Sequence, residues 1–472
     1  MTVSSPRPGT PTAASSIDLD ALRGQIAGRV IGPNDDDYES ARQVMFGGID
    51  RHPAVIVRVS TVDDIQRVIS LARETGLELA VRSGAHSAKG DSTTEGGIVL
   101  DLRDMAAIDI DPASKTAWAE AGASALEVTQ AAAEHGLAIG FGDTGSVGIG
   151  GITLGGGVGY LGRKHGLTID NLLAADIVTA DGELLRAAAD TNADLFWAIR
   201  GGGGNFGVVT RFQYRLVDLP EIVGGMLFLP ATVETVERFM ALSDEAPEEL
   251  GTIANVMPCP PMPFVGEEWH GKLVIFGLMC WAGDAVSGAK ALQPFRDLAR
   301  LGGLDAPIAD MVHPGPYTEM YPPEDGDYHP LAVSLTGYLD RVDRTTADTI
   351  MDRLESLDAP MRAVQLRVLG GAIARVPDDA TAYAHRTSEI MVNVAAFYEG
   401  DADRPEKLAW VEETIGAIRQ SDEGAYVNFV GDEGEARIRA AYPGATYDRL
   451  AEIKRRYDPD NLFLLNQNIP PA

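Results

Sequence analysis

The chain predicts an α+β fold, a split α+β domain with a second α+β domain inserted into it. Three observations lead there. At 472 residues the chain is too long for one ordinary core, so two or three domains are expected. Strand and helix patterns alternate from about residue 20 to 217. The composition then shifts near Leu219-Pro220, where a region of helices, strands and two proline-rich loops begins.

The opening residues are rich in Ser, Thr and Pro, with no apolar run and no twin arginine. They read as a tail over 1–19 rather than a secretory leader, so a cytoplasmic location is expected. Residues 54–59 (AVIVRV) form a β-branched strand. A helix follows over 61–75, with Val62, Ile65, Val68, Ile69 and Leu71 on its apolar side. Asp63 and Asp64 lie in its first turn, where the helix dipole favours carboxylates. Strands are expected at 77–81, 97–102 and 116–119, and a helix at 126–135 ended by Gly136. Residues 172–180 with Asp181-Gly182 are a strand entering a hairpin turn, and 206–216 is a further strand. In the middle region helices are expected at 233–242 and 285–292 and a strand at 273–278. The loops 257–264 and 313–330 read equally as walls of a binding cleft or as surface linkers. A helix at 447–457 precedes Asp458-Pro459-Asp460-Asn461 and a short apolar strand.

Bulk chemistry excludes several classes of function. The net charge of −30 repels nucleic acid and anionic membranes. Apolar runs fall short of a membrane span. Cys259 and Cys280 form no disulfide framework, and the eight histidines show no metal-ligand spacing.

The chemistry concentrates in two stretches. Arg82-Ser83-Gly84-Ala85-His86-Ser87 sets a single histidine in a small-residue turn directly after a strand. Ten of the twenty positions 140–159 are glycine, more than packing alone needs. Without a Cβ, backbone N–H groups can approach a ligand closely, and such concavities suit phosphate. A lone histidine beside a phosphate cradle points to a nucleotide cofactor, held and covalently fixed by the ring. Gly157-Val158-Gly159-Tyr160-Leu161-Gly162 matches the dinucleotide fingerprint GxGxxG. However, glycines at 148, 150, 151, 155 and 156 precede it, so no uninterrupted strand leads in, and a nicotinamide-binding Rossmann site is disfavoured. Downstream, 425–429 (AYVNF) reads as a strand that points Tyr426 and Asn428 to one face, about 7 Å apart. An ordinary amphipathic strand gives the same pattern.

These stretches, with Asp194-Leu195-Phe196-Trp197-Ala198-Ile199-Arg200-Gly201, Gly204-Asn205-Phe206-Gly207-Val208-Val209 and Tyr457-Asp458-Pro459-Asp460-Asn461-Leu462-Phe463, occur in the order of a known family. The chain resembles the FAD-linked oxidases related to berberine bridge enzyme and 6-hydroxy-D-nicotine oxidase, nearly throughout 35–217 and 420–472. The resemblance implies a two-part FAD-binding domain of two α/β subdomains, residues 20–217 and 431–472. Between them it implies a substrate domain, 218–430, of antiparallel sheet covered by helices. FAD would be joined to His86 through the 8α-methyl. Thr144 stands where many relatives carry a second, cysteine linkage, so attachment would be mono-covalent. Ala85 replaces the commoner glycine.

By the same match, Arg82, Ser83, Gly84, Ala85 and Ser87 wrap the pyrophosphate through backbone N–H groups. So do Gly145, Ser146, Gly148, Gly150, Gly151, Gly156 and Gly157. Gly207, Val208 and Val209 line the adenosine end, and the terminal run supplies Asn466 and Asn468. Val147 falls over the flavin's oxygen-facing side, as in oxidases. Tyr426 is implied as base or substrate anchor, with Asn428 bonding the flavin. Asn393, on a strand after His385-Arg386, is the second active-site position. Tyr317 and Tyr321 are substrate contacts or packing anchors. The expected partners are a small-molecule substrate and O2, with the chain a monomer or homodimer. The alternatives are an oxygen-poor dehydrogenase or cyclase of secondary metabolism and a drug-binding resistance flavoprotein.

Overall fold

Thr61 starts the first long helix in the way the sequence requires. Its hydroxyl accepts the Asp64 N–H at 3.1 Å, Asp64 accepts the Thr61 N–H at 3.2 Å, and Gly76 closes Val62–Thr75 at φ 68°. The computed structural model describes residues 17–359 and 361–472. Of the expected tail, residues 1–16 lie outside the described residues, and Asp18 caps the short helix Leu19–Arg23.

A four-stranded sheet orders Arg29–Ile31, Val55–Arg58, Ile98–Asp101 and Leu79–Arg82, with the last three parallel. A five-stranded antiparallel sheet orders Ile108–Asp111, Thr116–Glu120, Val208–Arg215, Leu172–Val178 and Leu184–Ala188. One core joins them, and the C-terminal residues Tyr457, Phe463 and Ile469 are buried in it beside Val57 and Leu100.

The intervening region forms an eight-stranded antiparallel sheet. It includes Ile222–Pro230, Leu273–Trp281, Leu250–Pro258, Arg362–Val368, Ile390–Phe397 and Ala332–Leu339, in that spatial order. The helices Val233–Glu245, Ala285–Arg296, Arg344–Glu355 and Arg404–Ile418 share a core with one face of this sheet. Strand alternation decides what each face carries. Val364, Leu366, Val392 and Val394 lie in the helix-covered core, so Gln365 and Asn393 between them face the first domain.

Two expected strands are absent. After Tyr457 no strand forms, because Asp458 accepts the N–H groups of Leu462 (2.8 Å) and Phe463 (2.9 Å), removing donors a ladder would need. Residues Val427–Phe429 form a 3₁₀ turn instead of extending a strand. Within the glycine-rich stretch, Ile149–Gly155 is a short helix.

His385 is buried and His165 half-buried, and burial holds both below the usual imidazole range. An unfolded chain binds a proton on each near pH 6.5, whereas the folded chain binds it only at lower pH. The unfolded state therefore holds more protons in that window, and stability rises with pH across it. Lowering pH from about 7 to about 5.5 is expected to lower the urea midpoint, and His385→Gln to flatten that dependence.

Candidate active site

The two motifs meet because glycine faces glycine. A Cβ on Gly84 would fall 2.1 Å from the Gly148 nitrogen, and one on Gly148 would fall 2.1 Å from the Gly84 nitrogen. Only two bare backbones can cross there. Ser83 Oγ fastens the crossing by donating to Ala121 O at 2.6 Å and accepting from Gly150 N–H at 3.3 Å. Ala85 follows at φ 61°, a left-handed backbone that disfavours a Cβ. Ala85→Gly is expected to raise unfolding stability by about 1 kcal/mol, read from urea titration. His86 is held below the usual imidazole range by burial, against an opposing pull from Glu324.

These backbones line a cavity of about 490 Å³ between the two domains. On its wall lie Ser83, Gly84, Ala85, His86 and Ser87, then Thr144, Val147, Gly148, Gly150 and Gly151. Gly207, Val209 and Asn466 line it further along, and Asn393, Tyr426 and Asn428 also lie on its wall. Other expected residues are set back from the wall. The Arg82 guanidinium is fully buried, donating to Ser92 O at 3.0 Å and Ala41 O at 2.5 Å; it staples the turn from behind. Val208 is a buried strand residue. Gly145 and Ser146 lie behind the wall against Glu324, and Asn468 carries a buried Oδ1 with no protein partner. The Gly157 N–H donates to Tyr426 Oη, and Gly156 packs beside the Tyr383 and Tyr426 rings.

Tyr426 and Asn428 come together through the 3₁₀ turn, closer than a strand would bring them. Asn428 Nδ2 donates to Tyr426 Oη at 2.9 Å, and the same oxygen receives the N–H groups of Gly157 (3.0 Å) and Val158 (3.3 Å). A neutral phenol offers two lone pairs, so three converging donors match a phenolate better. Burial nonetheless pushes the Tyr426 phenol above its usual range, with those donors and Arg367 pulling the other way. Gly157 adopts φ 79°, and a Cβ there would strike Thr168 Oγ1 at 1.9 Å.

Neither proline-rich loop contributes a wall residue. Tyr317 and Tyr321 are buried packing anchors, their hydroxyls 3.3 Å apart, and Tyr321 donates to Gly142 O at 3.1 Å. Both cysteines are free and buried.

Residues 53–188 match the family model described as FAD binding domain, and 425–470 the one described as berberine and berberine like. The (R)-6-hydroxynicotine oxidase of Paenarthrobacter nicotinovorans is 31% identical over 465 residues, covering 94% of this chain and 97% of that protein. An uncharacterised FAD-linked oxidoreductase of Bacillus subtilis, YvdP, is 32% identical over 472 residues, covering 95% and 99%. The chain belongs to the berberine bridge enzyme type of FAD-linked oxidoreductases. The crystal structure of 6-hydroxy-D-nicotine oxidase from Arthrobacter nicotinovorans shares its fold with a TM-score of 0.84 at 26% identity, over 95% of this chain and 98% of that one.

The oxidoreductase's own glycines fit FAD. Gly151 and Gly204 lie on the cavity wall, yet a Cβ on either would meet no protein atom within 4 Å. Neither has a left-handed φ. Nothing in the protein demands glycine there, so the space is left for a ligand that packs against bare backbone. Among the described residues no group of His, Cys, Asp and Glu could hold a metal, and no helix is long and apolar enough to cross a membrane.

Sequence reasoning named Asn393 on the eight-stranded sheet but missed the polar residues beside it, of which Gln365 and Arg367 reach the cavity wall. Asn255, Gln365, Asn393 and Thr336 stand side by side on four neighbouring strands. Gln365 Nε2 donates to Asn255 Oδ1 at 2.8 Å, while Asn393 Oδ1 is buried without a partner. Arg367, two residues from Gln365 on the same face, donates to Asp143 at 2.6 Å and to Gln365 Oε1 at 2.7 Å. The signal was available: polar residues at 365 and 367 alternate with apolar ones inside RAVQLRV.

Proposed function

We propose that this chain is an FAD-dependent oxidase that takes a hydride from a small-molecule alcohol or amine, with FAD fixed through His86 alone and O2 reduced to hydrogen peroxide. The observation that carries the reading is the set of three N–H donors converging on Tyr426 Oη at the wall of a glycine-lined cavity. In this reading 20–217 and 431–472 hold the cofactor, and 218–430 holds the substrate.

FAD, held by His86 and the glycine-lined wall, would supply the hydride acceptor and the route for electrons to O2. The protein supplies the rest. Tyr426, as the phenolate that its three donors hold, takes the O–H or N–H proton of the substrate and becomes the neutral phenol. Asn393 Oδ1, buried and unpartnered, accepts a hydrogen bond from a substrate hydroxyl or amine. Arg367, locked by Asp143 and Gln365, adds positive charge beside the phenolate. Val147 on the cavity wall supports access of O2. Thr144 cannot form a thioether, which supports a single linkage.

The test is to precipitate the yellow protein with acid and measure flavin in the pellet, wild type against His86→Ala. Flavin retained in the wild-type pellet alone, together with peroxide released on substrate screening, is the expected result. Wild-type flavin found only in the supernatant overturns the covalent linkage, and the absence of flavin from both fractions overturns the reading.

A further inference from the structure

His86 has neighbours that the reaction does not use. Its Nε2 lies 3.0 Å from Ser146 Oγ. Ser146 Oγ donates to Glu324 Oε2, and the Ser146 backbone N–H donates to Glu324 Oε1 at 3.0 Å. A carboxylate only accepts, so the serine proton is directed to Glu324 and the serine oxygen is left to accept from His86 Nε2–H. That chain selects one tautomer. The proton sits on Nε2 and a bare lone pair on Nδ1, which has no hydrogen-bond partner among the described residues. Burial favours the neutral, nucleophilic ring.

Glu324 belongs to the other domain. It lies in the loop between the turn Tyr317–Met320 and the strand Ala332–Leu339. Tyr321 pins this loop to the glycine-rich segment through Gly142 O. Gly145 lets the loop pack closely, since a Cβ there would sit 3.2 Å from Tyr321 Cβ and 3.3 Å from Glu324 Oε1.

Resting on the reading that FAD is joined to His86, we propose that Ser146 and Glu324 are the positioning pair for that attachment. They present His86 Nδ1 to the flavin 8α-carbon and draw off the Nε2 proton as the bond forms. One C–H bond at the 8α-carbon and one ring N–H bond break, and one C–N bond forms. The two electrons and two protons released pass to O2 as hydrogen peroxide. The ring proton leaves through Ser146 to Glu324, which passes it on to solvent in exchange for the proton that peroxide takes up, so the substituted imidazole and Glu324 both end in their starting charge states. Attachment then waits until the inserted domain has folded and set its loop in place.

The experiment follows attachment rather than turnover. Full-length wild type, Glu324→Gln, Glu324→Ala, Ser146→Ala and Ser146→Thr are incubated with FAD in air, and acid-precipitable flavin is measured over time. Glu324→Gln and Ser146→Ala are expected to bind FAD but attach it about 10²-fold more slowly, the lower end of what a positioned proton-transfer group contributes. Ser146→Thr keeps the hydroxyl and attaches at the wild-type rate. Added formate is expected to speed attachment in Glu324→Ala and to do nothing in His86→Ala, a response that a purely structural role would not give. Wild-type rates in Glu324→Gln and Ser146→Ala, or no formate response, overturn the proposal and leave the His86 linkage standing. Acid release of flavin from wild type overturns the linkage itself.

Discussion

Tyr426→Phe is expected to slow flavin reduction by substrate about 10²- to 10⁴-fold, the range for loss of a positioned acid–base group. Anaerobic stopped-flow reduction measures it directly. KM should change little, and acid-stable flavin should not change, because Tyr426 shares no hydrogen-bond partner with His86. The pH profile has a defined sign. Burial raises the Tyr426 phenol, so the phenolate fraction grows with pH throughout the neutral range, and the wild-type rate should climb with pH. That rising limb should vanish in Tyr426→Phe. A reduction rate within twofold of wild type would exclude Tyr426 as the base. The variant also leaves Asn428 Nδ2 and two backbone N–H groups without their acceptor, a stability loss of about 1–3 kcal/mol that urea titration should detect.

Gly148→Ala is expected to be a severely damaging single-methyl change at the crossing of the two glycine motifs. The added carbon would lie 2.1 Å from both Ser83 Oγ and the Gly84 nitrogen and 2.8 Å from Gly84 Cα. Two of those are backbone atoms that no rotamer change can move aside. The crossing must open, at about 3 kcal/mol or more, and the His86 turn moves with it. Loss of flavin and a lowered thermal midpoint should appear together. Gly151→Ala, three residues on, is the control. Its Cβ meets no protein atom within 4 Å, so the fold should keep its midpoint while FAD content falls. A Gly148→Ala protein with normal flavin and midpoint would show that the two glycine motifs do not depend on each other.

Much of the first domain was legible because its signals are local. Thr61 and Asp64 close a capping box, Gly76 ends a helix, and Asp181-Gly182 turns Leu172–Val178 into Leu184–Ala188. Apolar period does the same for Val233–Glu245 and Ala445–Tyr457. The misses arose where side chains compete with the ladder. Asp458 takes the N–H groups of Leu462 and Phe463, and the segment of Tyr426 tightens into a turn. An alternating pattern shows which residues share a face in a strand; it does not show that a strand forms.

By itself the sequence determined the family and the cofactor class, and it named many of the residues that line the cavity, since each rests on a short motif or a local period. Tertiary structure alone decided three further things. It set Gly84 against Gly148, 64 residues further along the chain. It ranked the cavity-facing glycines by function, with Gly148 needed for backbone contact and Gly151 and Gly204 left open to a ligand. It also brought Arg367, Gln365 and Glu324 from the inserted domain to the site. The physical reason is the same in each case. A hydrogen bond, a clash or a buried charge depends on distance in space, and residues far apart in sequence have no fixed distance until the two domains pack.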